Sequence, residues 1–230
     1  METFAEINHH YIEQGTGFPL LLLHGNGEEC GYFEHQMGPF ARHFRVIAVD
    51  TRGHGLSPRG TAPFTIRQFA DDLLAFMDRL SIAKAHILGF SDGGNIALVF
   101  ALAHPERVER LVLNGANLDA GGVKRSVQLP IEAGYRIARL FARRSEAARR
   151  NAEMLGLMVN DPHVEPEELA LIQCPTLVVA GTKDMIRERH TRLIAASIPH
   201  AQLALLPGDH FIAHRNPEVF NSTVLRFLAG

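Results

Sequence analysis

The chain has 230 residues, 46% of them hydrophobic, which is sufficient for one domain with a sizeable core. Its 23 Lys and Arg against 25 Asp and Glu leave a formal charge of −2, which predicts no pull toward nucleic acid or an anionic membrane. No apolar run is long enough to span a bilayer, and Glu2 and Glu6 stand where a leader would be basic. The expectation is a cytoplasmic protein without a signal peptide, in which Cys30 and Cys174 form no disulfide framework.

In chain order, Phe4 to Ile7 and His10 to Glu13, on either side of Asn8-His9, predict an opening antiparallel hairpin. Apolar runs then predict strands at Leu20 to His24, Arg45 to Asp50, Ala85 to Phe90, Arg107 to Asn114, Thr176 to Gly181 and Gln202 to Leu206. Runs that are apolar throughout, such as Val46-Ile47-Ala48-Val49, suit a parallel sheet covered on both faces. Between them lie helical patterns. The clearest repeats by three and four from Ile66 through Phe69, Leu73 and Met77 to Leu80, with Thr65 and Gln68 placed as a capping box. The last helix opens at Asn216-Pro217, a cap followed by a first-turn proline. Residues 118–165 carry no strand signal and predict two or three short helices.

The segment Gly89-Phe90-Ser91-Asp92-Gly93 joins an apolar strand to an apolar helix. A serine on so sharp a turn projects its hydroxyl outward, and glycines around it let neighbouring backbone pass closely. A serine needs a general base, itself oriented by an acid, to become a nucleophile. Asp184, after the run ending at Val179, and His210, after the run ending at Leu206, each stand on a loop leaving the carboxyl end of a strand. A further strand runs into His24-Gly25-Asn26-Gly27, a loop able to offer a backbone donor to an oxyanion.

These segments, with Asp50-Thr51-Arg52-Gly53-His54-Gly55-Leu56-Ser57, resemble the α/β-hydrolase family over nearly the whole chain except residues 118–165. The resemblance implies an α/β-hydrolase fold with a mostly parallel eight-stranded sheet, the N-terminal hairpin, and helices on both faces. The core would comprise residues 1–117 and 166–230, and 118–165 would form a small helical lid after the sixth strand. The catalytic residues would be Ser91, Asp184 and His210, in the family's chain order, with the backbone N–H groups of Asn26 and Asp92 as oxyanion donors. No metal or organic cofactor is implied. The expected activity is hydrolysis of small carboxylic esters or lactones. The same triad could instead serve amide, carbon–carbon or perhydrolysis chemistry, or the fold could bind a ligand without turnover. The expected partner is a small-molecule substrate, with the chain a monomer or homodimer.

The lid segment from Val123 to Met158 holds eight basic residues against three acidic ones. That charge reads as a solvated helix face, or as a source of one arginine for a substrate carboxylate. Leu129, Tyr135 and Met158 are the candidates to line the pocket, and Asp92 is a candidate to hold a substrate amine. The 13 histidines show no paired ligand spacing, so they are expected to be scattered core and surface residues, with His24 and His54 holding their loops.

Overall fold

A computed structural model describes residues 7–230. The strands are β1 (Tyr11–Gln14), β2 (Pro19–Leu23), β3 (Arg45–Val49), β4 (Ala85–Phe90), β5 (Val108–Asn114), β6 (Thr176–Gly181) and β7 (Ala201–Leu206). The helices are α1 (Glu34–Ala41), α2 (Ile66–Arg79), α3 (Asp92–Ala103), α4 (Arg125–Phe141), α5 (Glu146–Asn160), α6 (Glu188–Ser197), α7 (Ile212–Arg215) and α8 (Pro217–Ala229). The strands form one sheet in the order β1-β3-β2-β4-β5-β6-β7, with β1 antiparallel to β3 and every other pairing parallel.

Seven strands, rather than eight, are present among the described residues. Residues 4–6 of the expected first strand lie outside the described residues, and Ile7 is buried but not in a strand. The partner of β1 is the distant β3, since Tyr11 registers with Val49. Pairing with β3 gives this edge a four-residue ladder on an already formed sheet, whereas an isolated two-stranded hairpin is marginal in water.

Side chains along each strand alternate between two cores. Leu21, Leu23, Ile47, Val49, Ile87, Leu111 and Val178 face α2, α3 and α6. Leu20, Leu22, Val46, Ala48, Leu88, Val112 and Leu177 face α1 and α8. On α2 the buried stripe Ile66, Phe69, Ala70, Leu73, Phe76, Met77 follows the helical repeat, and burying each large side chain stabilises by about 1.5–3 kcal/mol. The Thr65 hydroxyl caps α2 by accepting from the Gln68 N–H at 3.2 Å. Asn216 does not cap α8 with its side chain; its amide donates to the Pro207 carbonyl instead.

Residues 125–160 form the antiparallel pair α4 and α5, inserted after β5. No helix among the described residues is long and apolar enough to cross a membrane.

The loop after β3 is a polar brace. Asp50 accepts from the Cys30 N–H (2.6 Å), the Leu56 N–H (2.9 Å) and His10 Nδ1 (2.8 Å). Arg52, 1% exposed, makes a two-pronged ion pair with Asp72, both contacts at 2.6 Å. Because β2 to β7 run in the same direction, the loops carrying Asn26, Ser91, Asp184 and His210 all leave the same sheet edge.

Candidate active site

Ser91 sits between β4 and α3 with φ +52° and ψ −120°, a conformation that L-residues adopt only at a cost of about 1–2 kcal/mol. Two glycines make the turn possible. A Cβ at Gly89 would overlap the Gly93 carbonyl, and one at Gly93 would overlap the Leu23 and His24 carbonyls at the end of β2. The Ser91 N–H donates to the Asn114 carbonyl (2.8 Å), and its own carbonyl accepts from Asn95 (3.0 Å), which locks the elbow to β5 and to the first turn of α3.

The three side chains expected to act together do meet. His210 Nδ1 is 2.7 Å from Asp184 Oδ1, and His210 Nε2 is 3.0 Å from Ser91 Oγ. A carboxylate facing Nδ1 makes that nitrogen the donor, which leaves Nε2 to accept the serine proton. His210 is 4% exposed and Asp184 is 3% exposed. Asp184 Oδ1 also accepts from the Ile186 N–H at 2.9 Å, so the loop that delivers the carboxylate is held by it. Asp209, next to the histidine, turns away to pair with Arg215 and to accept from the Phe211 N–H. Gly115, after β5, lies against the imidazole with φ +65°. A Cβ there would come within 2.8 Å of His210 Cε1 and 3.0 Å of Nδ1.

Asn26 is on the turn closed by the Glu28 N–H donating to the Gly25 carbonyl at 3.3 Å. Its side-chain amide donates to Asp92 Oδ2 and to the Met154 carbonyl of α5, both at 2.8 Å. Asp92 is the first residue of α3, where a backbone N–H has no intrahelical acceptor. Its carboxyl is 7% exposed and takes donors from Asn26 and from Asn95 (3.2 Å). Asn95 and Asn117 continue this network into the interior. Burial pushes the Asp92 carboxyl up to about 6, against the lowering pull of the Asn26 amide. Each oxygen thus accepts one protein amide, and the carboxyl is turned into the interior and not toward solvent.

A cavity of about 190 Å³ opens over Ser91 and His210, walled by Asn26, Glu28, Phe90, Met158, Met185 and Phe211. Of the three pocket candidates, only Met158 reaches it. Tyr135 lines a separate cleft with Arg139, Arg149 and Asn160, and Leu129 is 52% exposed beside Gln128 and Glu132. The reason is rotational: α4 packs along α5 and buries only Gln128 and Ala138, so Leu129 and Tyr135 fall on other sides of the pair. All eight basic residues of residues 123–158 are exposed and none lines the cavity, which makes that charge a solvated face. Glu28, Met185 and Phe211 were not singled out by sequence, although all three lie within two residues of positions that were, namely Asn26, Asp184 and His210. Burial pushes the Glu28 carboxyl up to about 7, and its Oε2 has no partner among the described residues.

The histidines divide by role. His24 Nε2 accepts from the Thr51 N–H (3.0 Å), so its Nδ1 donates to the Gly25 carbonyl (2.8 Å) and ties the loops after β2 and β3. Its pKa falls to about 4 through burial. His54 bonds to the Arg52 carbonyl and to Thr51. The chain also brings His10 to Cys30 and Asp50, and His35 to Glu34 and His214. In the first group the carboxylate is already filled by three donors. The second group is exposed.

A strained serine elbow on a parallel sheet, with an acid–imidazole pair at the same edge, is the architecture of an α/β hydrolase. The profile of the family described as "alpha/beta hydrolase fold" matches residues 19–130. A RutD protein of Caulobacter sp. strain K31, provisionally named a carbamate hydrolase, is 32% identical over 92% of this chain and 90% of its own. Among solved structures, the enol-lactonase of Burkholderia xenovorans LB400 superposes with a TM-score of 0.79 at 26% identity, covering 99% of this chain and 100% of that one. The meta-cleavage product hydrolase of Pseudomonas fluorescens IP01 gives a TM-score of 0.80 at 25% identity, covering 97% and 94%. The chain belongs to the α/β-hydrolase family.

Proposed function

We propose that this protein is a serine hydrolase that cleaves small carboxylic esters or lactones through an acyl-enzyme intermediate. The observation that carries the reading is the continuous contact from Asp184 through His210 to Ser91 Oγ at the floor of the cavity. Ser91 Oγ attacks the acyl carbonyl carbon as its proton passes to His210 Nε2, and the resulting imidazolium is stabilised by Asp184. The carbonyl oxygen becomes an oxyanion held by the Asn26 and Asp92 N–H groups, each such donor contributing about 10²–10³ in rate. The carbon–oxygen bond to the leaving group then breaks, and His210 returns its proton to that oxygen. Water, deprotonated by His210, attacks the acyl carbon, the Ser91 ester breaks, and the free acid leaves with the serine restored.

In this reading α4 and α5 are the lid, contributing Met158 to the wall, and residues 1–117 and 166–230 are the core. A cavity of about 190 Å³ falls below the ~300–1,000 Å³ usual for drug-sized ligands, which favours compact substrates. Carbamate cleavage by the same groups is a second reading, favoured by the name of the Caulobacter relative. The chemistry needs no metal or organic cofactor.

The test is a panel of p-nitrophenyl esters of increasing acyl length, small lactones and a carbamate, run on wild type and Ser91→Ala, with organophosphonate labelling located by mass spectrometry. The expected results are turnover of short esters, a fall of about 10⁴-fold or more in the variant, and labelling at Ser91. Turnover retained in Ser91→Ala, or labelling elsewhere, would remove Ser91 from the chemistry.

A further inference from the structure

Glu28 has no part in the proton relay, yet it lines the same cavity as Ser91 and His210. It is the one acidic side chain on that wall, and no lysine or arginine lines it. Phe90, Phe211, Met158 and Met185 make most of the remaining surface apolar. Carboxyl oxygens taken out of water are normally hydrogen-bonded, because leaving one unpaired costs the desolvation of that group. Glu28 Oε2 is buried and has no partner among the described residues, and neither does the buried Tyr32 hydroxyl, whose ring stacks on Phe90 at 4.4 Å. Arg215, which stands over Phe211, is already paired with Asp209. One Glu28 oxygen beside the cavity thus has no protein partner, while the Gly25 backbone holds the carboxyl on its other side, and the one lining side chain that becomes positive is His210, as the imidazolium formed during turnover.

We propose that Glu28 makes this cavity select substrates that carry a protonated amine close to the scissile acyl group, by accepting a charge-assisted hydrogen bond from the ammonium. This deepens the hydrolase reading and rests on it for the identity of the reacting group. An ammonium is small, carries three donors, and forms shorter and stronger bonds to a carboxylate than a neutral donor does. At pH 8 the carboxyl, pushed up to about 7 by burial, is mostly ionised, and a bound cation favours that form further.

The experiment compares p-nitrophenyl 3-aminopropanoate with p-nitrophenyl butanoate, which differ by an ammonium in place of a methyl group, at pH 8 on wild type and Glu28→Gln. The expected result is a preference for the aminopropanoate in kcat/KM of about tenfold or more, carried by KM, weakened by added salt, and reduced at least tenfold in the variant. A wild-type preference for butanoate, or the same ratio in both proteins, would overturn the inference while leaving the hydrolase reading intact. Calorimetric binding of propylammonium chloride needs no turnover and separates the two failures. If neither ester is cleaved and Ser91 is not labelled, the hydrolase reading falls. Propylammonium binding that is tenfold tighter to wild type than to Glu28→Gln still supports the site, and equal or undetectable binding ends it.

Discussion

Gly115→Ala tests whether the imidazole position, and not only its presence, sets the rate. The added methyl carbon would stand 2.8 Å from His210 Cε1 and 3.0 Å from Nδ1, with Asp184 Oδ2 at 3.5 Å. Ordinary contact between such atoms is about 3.5–4.0 Å, so the ring must retreat by roughly half an ångström or more. A 1 Å misplacement of a reacting group can reduce turnover by about 10²-fold, so the expected loss in kcat is about ten- to a hundredfold, with KM little changed. Stability responds separately. Alanine at φ +65° costs about 1–2 kcal/mol, offset by about 0.4–1 kcal/mol from the stiffer unfolded chain. For a chain of this size the net change lowers Tm by about 0–6 °C, well short of unfolding at assay temperature. The assay is p-nitrophenyl acetate hydrolysis at 25 °C beside a thermal melt of the same sample. A variant with the expected Tm shift and wild-type kcat would refute the claim that the Gly115 backbone sets the Ser91–His210 geometry.

Asp92→Asn should change the pH dependence of stability. The Asp92 carboxyl is raised to about 6 in the folded protein from an ordinary value near 3.8, so its contribution is fully present below about 4 and is lost as pH rises through about 6. Asparagine has no such titration, so the variant should gain on wild type by up to about 3 kcal/mol between pH 4 and 7 in urea unfolding; parallel curves would refute the assignment. Asp72→Ala leaves the Arg52 guanidinium buried without its carboxylate and should destabilise by about 3–5 kcal/mol, read as a shifted urea midpoint. A loss below 1 kcal/mol would mean that water reaches Arg52.

Much of the candidate site was legible because its residues stand at punctuation. Ser91, Asp184, His210 and Asn26 each follow an apolar run that ends in or near glycine, and a parallel sheet delivers such loops to one edge whatever the intervening sequence. The cavity wall was less legible. Leu129, Tyr135 and Met158 were equally plausible apolar lid residues, but which of them faces Ser91 depends on the rotation of a helix pair that buries only Gln128, Ala138 and Leu157. Asp92 was a candidate to hold a substrate amine because its tie to Asn26 spans 66 residues and leaves no local trace, although Asn95, three residues on along α3, was within reach of the helical repeat. The partnership of β1 was likewise nonlocal, since Tyr11 lies 38 residues from its partner Val49 and a hairpin signal reads only adjacent residues.

The chemistry and the cavity wall have different supports. Ser91 and Asp184 hang from β4 and β6, whose side chains are wholly buried, and His210 follows the edge strand β7, where only Leu206 is buried; backbone bonds such as Ser91 to Asn114 and Gly115 to Val179 lock the loops. The helix pair that supplies Met158 is held by polar ties: the Asn26 amide to Met154, Arg59 to Glu153, and the Lys124 N–H to the Met185 carbonyl. Segments with few buried apolar contacts open at lower free energy than core strands do. One of those ties belongs to Asn26, whose amide also holds Asp92, so displacement of α5 breaks a bond in the loop that flanks Ser91. Position of α5 and order in that loop are therefore coupled through the one Asn26 side chain.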